Sequence, residues 1–187
     1  TNTDHCMMPF PSGAFLSVDS SEITGYSLNI SGEAIPDTSS AQSGNMLILD
    51  RLDGFSPSTQ IFTTFESTPE IDGMATQFNI SPSVESGHSS ILLNMDTGEK
   101  VHHWIELDAR SQEGEPTILF LRTIEGLDHN AAYAVAFRNL VDENGLKILP
   151  SDGFRALRDS INTSSDGIEE QRSDYESLFI NLQASGF

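Results

Sequence analysis

The sequence predicts a mainly β fold, an immunoglobulin-like β-sandwich with an extended N-terminal segment and two C-terminal α-helices. Three observations lead there. Apolar segments with a period of two recur from Ser90 to Arg138 between turn-forming residues, Tyr133 opens a strand six residues after Leu127, and the period changes to 3.6 after Pro150. A chain of 187 residues suits one domain with an appendage and is too short for two large ones. The expected organisation is a single β-rich domain: a loop-rich segment with short strands over 1–68, sandwich core strands over 69–149, and helices over 150–187.

Up to Thr68, residues rich in Ser, Pro, Gly and Asp separate short apolar pieces, Met7 to Phe15, Tyr26-Leu28-Ile30 and Met46 to Leu49, so extended chain and short strands are expected. Ser90 to Met95 is a compact apolar run. Asp96-Thr97-Gly98-Glu99 is a turn, and Val101 to Asp108 alternates with Val101, His103, Ile105 and Leu107 on one face, which together predict a β-hairpin. Thr117 to Leu121 and Tyr133 to Arg138 repeat the β pattern, and Asp142-Glu143-Asn144-Gly145 is a turn favouring positive φ. Tyr133, Val135 and Phe137 should point inward. A tyrosine so placed after Leu127 has the pattern of the tyrosine corner, whose hydroxyl bonds the backbone upstream, here near Leu127 to His129; the plain alternative is a strand that merely begins with an aromatic. Beyond Pro150, Ser151 or Asp152 can cap a short helix carrying Phe154, Leu157 and Ile161. Asp166 with Glu169 opens a longer helix striped by Ile168, Tyr175, Leu178, Phe179 and Leu182, and Gly186 can end it.

Nine Lys and Arg stand against 28 Asp and Glu, a net charge of −19, which argues against nucleic acid or an anionic membrane face as partner, since both require cationic surface. Only Lys100 and Lys147 are lysines, a surface suited either to high salt, where self-repulsion is screened, or to an acidic secreted domain. At 37% hydrophobic the chain is too apolar for wholesale disorder. No run approaches the roughly 18 consecutive apolar residues of a membrane span. The single cysteine, Cys6, cannot form an internal disulfide. The chain opens at Thr1 without a basic-plus-apolar leader, the form expected of a trimmed or processed start.

Few residues suggest chemistry. Gly87-His88-Ser89-Ser90-Ile91 begins a nucleophile-elbow pattern but places Ile91 where the second glycine belongs, so Ser89 is expected to be a loop serine and no catalytic residue is assigned. His102 and His103 are adjacent in a strand, point to opposite faces and cannot share an ion. His5 beside Cys6 lacks a second ligand pair nearby, and His129 belongs to a turn, so structural or exposed roles are expected for the histidines. Oxygen ligands favour calcium over zinc: Asp50 and Asp53 beside Gly54, and Asp142 with Asn144 beside Glu143, can converge, although neither set follows the twelve-residue calcium loop. Turn-forming and solvating roles are the competing account of these carboxylates. Trp104, with His102 and Glu106 on the polar strand face, can stack on a sugar or seat another protein; core packing after a register shift is the rival. Asn29-Ile30-Ser31, Asn79-Ile80-Ser81 and Asn162-Thr163-Ser164 fit the glycosylation pattern, the second weakened by Pro82.

Several segments, taken as an ordered set, resemble a known group of proteins: Cys6-Met7-Met8-Pro9-Phe10-Pro11-Ser12, Asp53-Gly54-Phe55-Ser56-Pro57, Asp96-Thr97-Gly98-Glu99-Lys100-Val101 leading to Trp104-Ile105-Glu106-Leu107-Asp108, Tyr133-Ala134-Val135-Ala136-Phe137-Arg138-Asn139-Leu140, and Tyr175-Glu176-Ser177-Leu178-Phe179. Nearly the whole chain is similar to the N-terminal, immunoglobulin-like region of large secreted bacterial proteins of the lipase and esterase type. The resemblance implies a non-catalytic accessory module, extracellular or at the cell surface, followed by an α/β-hydrolase-like domain that holds the catalytic serine, acid and histidine. No catalytic residue carries over onto this chain. The expected partner is that downstream domain or another protein; the alternative is a free-standing surface domain that binds a protein or carbohydrate.

Overall fold

The computed structural model describes residues 9–30, 51–111 and 117–187. The expectations placed on His5, Cys6, Met46 to Leu49 and Asp50 lie outside the described residues. The chain divides into two compact units, Pro11–Thr59 and a larger one of Thr1–Phe10 with Gln60–Phe187.

In the smaller unit, Ser12 accepts a bond from Ala14 N–H at the start of a 3-10 turn, Gly13–Phe15, that leads into β1 (Leu16–Val18). β1 pairs antiparallel with β2 (Tyr26–Leu28), with Leu16 opposite Leu28 and Val18 opposite Tyr26. Leu28 and Phe15 are buried in this piece, while Tyr26, on the same strand face as Leu28, stays exposed. Leu28 N–H donates to Leu52 O, and the Thr24 hydroxyl donates to Asp53 O, so one main-chain and one side-chain bond tie the hairpin to residues 52–53.

The larger unit is mainly β with C-terminal helices. β3 (Ile61–Thr64), β6 (Ile118–Thr123) and β5 (His103–Leu107) form an antiparallel sheet in the order β3-β6-β5, while β4 (Ser90–Asn94) pairs antiparallel with β7 (Tyr133–Phe137). The turn at Asp96–Glu99 forms as expected, with Gly98 at φ +74° and Asn94 N–H donating to Glu99 O. The hairpin does not. Only the Leu93 and Lys100 bridge continues it, after which the chain leaves β4 and enters the other sheet at His103.

β4 is buried at all five positions, and its neighbours explain why. Leu92 joins Ile61, Ile105, Leu119 and Leu121 in one cluster, flanked by Tyr133, Val135 and Phe137, so the two sheets share this apolar interior. Ile91 and Leu93 face the other way and meet Ala134 and Leu182, with Leu178, Phe179 and Phe187 packed around them. A strand covered on both faces loses the polar alternation, which is the compact apolar run seen in the sequence.

The first helix begins where its cap predicts. Ser151 accepts from Phe154 N–H and starts α1 (Asp152–Arg158). The second helix, expected to be continuous from Asp166, is broken at Glu170–Gln171 into a single turn, α2 (Asp166–Glu169), and α3 (Arg172–Ala184). The capping box does not form, because Glu169 reaches back to the Thr163 N–H and hydroxyl and pairs with Arg172 at 2.8 Å. The Arg172 bond first, then the two from Thr163, hold the Glu169 carboxyl down to about 2. The Arg172 guanidinium also donates to Ala156 O and Ile161 O, fastening α3 to the end of α1. Gly186 at φ +82° ends α3, with Phe187 N–H returning to Leu182 O. Among the described residues no helix is long and apolar enough to cross a membrane.

Candidate functional site

The serine next to the one considered as a nucleophile is where polar chemistry gathers. Gly87, at φ +93°, ends the loop before β4, and His88 folds back over the start of the strand. Ser90 Oγ lies 2.8 Å from His103 Nε2 and 3.1 Å from His88 Nδ1, and the two rings meet edge to face with centroids 5.9 Å apart. Period-two geometry puts Ser90 on the face of β4 that looks at β5, and His103 on the inward face of β5. Both are buried, Ser90 to 1% exposure and His103 completely.

Backbone groups engage both rings and fix the proton of His103. Ala75 N–H donates to His88 Nε2 at 3.0 Å and Ser90 N–H to its Nδ1 at 3.2 Å, so backbone amides engage both nitrogens of this ring. Val101 O can only accept, so it takes the proton of His103 Nδ1 at 2.8 Å and leaves Nε2 bare. The Ser90 hydroxyl therefore donates to the bare His103 Nε2 and lies beside His88 Nδ1. The fixed part of the order is Ser90 hydroxyl to His103, His103 to Val101 O. Desolvation drives the His103 imidazole down to about 4, against the opposing effect of its bond to Val101, so the ring is neutral at physiological pH. The His103 main-chain N–H is also met, by Ser83 Oγ at 3.1 Å, and Ser83 in turn donates to Ile80 O.

This arrangement has the contacts of a hydroxyl and a base without an approach for a substrate. Its hydrogen bonds are complete, and its chemistry is that of a buried polar clamp between the two sheets. Ser89 itself contributes only its carbonyl, which accepts from Arg138 N–H.

Tyr133 makes the expected upstream bond. Its hydroxyl oxygen accepts from Asp128 N–H at 2.9 Å and donates to Asp128 Oδ2 at 3.2 Å. The ring is half-buried against the shared interior. Asn94 closes the cluster, donating from Nδ2 to both Asp128 and Tyr133, while its Oδ1 holds the Asp96 and Thr97 amides of the turn. Beside it opens a shallow cleft of about 280 Å³, whose walls include Lys100, His102, Glu125, Leu127, Asp128 and Tyr133. The cleft takes in none of Ser90, His88 and His103.

Of the expected partner-binding trio, the structure joins two. Trp104 Nε1 donates to Glu106 Oε1 at 2.9 Å, and Arg122 Nε, from the β6 position opposite Trp104, donates to the other carboxylate oxygen at 2.6 Å. The tryptophan bond, then the guanidinium, holds the Glu106 carboxyl below the usual carboxylate range. Arg122 lies 4.8 Å over the Phe120 ring, and Phe62 and Phe10 continue the row at centroid distances of 6.1 and 5.2 Å. His102 precedes β5 and is exposed at the cleft, with no hydrogen bond to either Trp104 or Glu106. His129 is exposed in a turn.

The candidate calcium ligands are engaged locally. Asp142 Oδ1 accepts from Asn144 N–H and Leu146 N–H, both at 2.9 Å, which shapes the hairpin around Gly145. Asp53 belongs to the smaller unit and contributes its carbonyl to Thr24. Among the described residues no group of three or more His, Cys, Asp or Glu is placed to hold a metal ion. No protein-family model, curated protein or solved structure matches the chain.

Proposed function

We propose that this chain is a non-catalytic accessory module of a secreted lipase- or esterase-like protein, an immunoglobulin-like sandwich whose hydrolase-like domain follows Phe187. The observation that carries this reading is the burial of Ser90 between His88 and His103. A nucleophilic serine must meet its substrate, and this one uses its only proton to hold a buried imidazole. The Tyr133 to Asp128 backbone bond, five residues upstream, supports the immunoglobulin-like assignment. Purified chain incubated with a short-chain nitrophenyl ester should release no product above buffer. Turnover abolished by Ser90→Ala or Ser89→Ala would overturn the reading. So would a coding sequence that continues past Phe187 without a serine elbow.

A second reading, a surface domain that binds a protein or carbohydrate, is favoured by the row formed by Phe10, Phe62, Phe120, Arg122, Glu106 and Trp104 across one sheet face. Glycan-array binding lost in Trp104→Ala would support it over the first.

A further inference from the structure

The sheet edges of the larger unit differ in how their backbone groups are used. On β5, His103 and Ile105 N–H donate to Ser83 Oγ and Ala75 O. On β3, Phe62 exchanges both main-chain bonds with Phe10, at 2.8 and 2.9 Å. On β4, Leu92 O accepts from Val101 N–H and Asn94 N–H donates to Glu99 O. β7 is the exception. Met95 N–H donates to Ala132 O and Arg138 N–H to Ser89 O, so in this register Ala132, Ala134, Ala136 and Arg138 face β4. The main-chain N–H and C=O groups of Tyr133, Val135 and Phe137 therefore point away from β4, and among the described residues no hydrogen bond reaches them.

We propose that this edge of β7 is a docking site for an extended, positively charged peptide strand, taken up by β-strand addition. Alternate unpaired donors and acceptors are the template such a strand completes. Nothing on β7 blunts the edge, since Tyr-Ala-Val-Ala-Phe carries no lysine, proline or charge of any kind. The charge of the occupant follows from its surroundings. Asp128 and Asp96 stand at the Tyr133 end, the latter bonded to Ala132 N–H, against Lys100 in the cleft beside Tyr133, and beyond the Phe137 end Pro69 bridges Asp142 and Glu70 N–H donates to Val141 O, with Lys147 opposite Val141. Arg138 is drawn off by His88 O, Gly186 O and the Phe187 ring. A second copy of this chain brings another 19 net negative charges to the same edge, so a basic strand is the favoured partner. This site stands apart from the reading of the chain as a hydrolase accessory and survives or fails separately from it.

Residue-resolved amide hydrogen exchange on the whole chain tests the proposal. In the free protein the Ala134 and Ala136 amides should exchange slowly and those of Tyr133, Val135 and Phe137 fast. A synthetic peptide, Lys-Thr-Val-Lys-Val-Thr-Lys, should slow the three fast amides by roughly tenfold or more, with the effect fading as salt rises. The same peptide N-methylated at alternate residues along its pairing edge, and a version with Glu for Lys, should leave them fast. Slow exchange of all three amides in the free protein would mean the edge is already covered and would sink the proposal. Equal protection by the acidic peptide, or protection that instead grows with protein concentration as dimers form, would also overturn it.

Discussion

Ser90 Oγ and His103 Nε2 meet at 2.8 Å across the interior shared by the two sheets. The pair makes stability depend on pH. His103 falls from an ordinary value of 6.5 to about 4 in the folded protein, so between those values the unfolded chain binds the extra proton. Stability is full above the unfolded value and is lost as pH falls toward 4. From pH 7 to pH 5 the loss from this one group is about 2 kcal/mol by linkage. Urea denaturation of the parent and of His103→Gln at both pH values checks it: the parent should lose that stability and the variant should not. Ser90→Ala leaves the buried nitrogen without its donor and should cost about 1–3 kcal/mol at pH 7.

Tyr133→Phe should keep the fold and lose on the order of 1 kcal/mol, because Asp128 N–H loses the acceptor that closes the corner. A chemical denaturation midpoint equal to that of the parent would show that water replaces the phenol without cost.

Leu182 is the α3 residue inserted between Ile91, Leu93 and Ala134. Leu182→Ala should destabilise by about 2–5 kcal/mol through lost burial and the cavity left behind. Leu92→Ala, on the opposite face of the same strand, should cost a similar amount. Unequal losses would show that one of the two faces carries the stability of the strand.

Thermal midpoints should rise with sodium chloride, since a net charge of −19 strains the compact state and salt screens it. At matched ionic strength calcium should add nothing through Asp142, whose Oδ1 already accepts two amides of its own turn. A further calcium-specific rise would return Asp50 and Asp53 to consideration as ligands.

Local features were determined by the sequence alone: the strands at Ser90, His103 and Tyr133, the Ser151 cap, the Gly186 stop and the bond from Tyr133 to the backbone near Leu127 to His129. Each depends on side-chain period or on groups within a few residues, and such information travels with the segment. The tertiary structure decided the rest. Asp96–Glu99 makes the same turn whether or not the strands stay paired, so only the packing of two sheets sends β5 away from β4. Glu169 had the spacing of a capping residue, but Arg172 and Thr163 compete for it and break the helix. His88 and His103 carried no shared signal, because their meeting at Ser90 exists only once β4 and β5 face each other across an apolar interior. The same burial that makes the pair invisible in the sequence keeps His103 neutral and makes its hydrogen bonds obligatory.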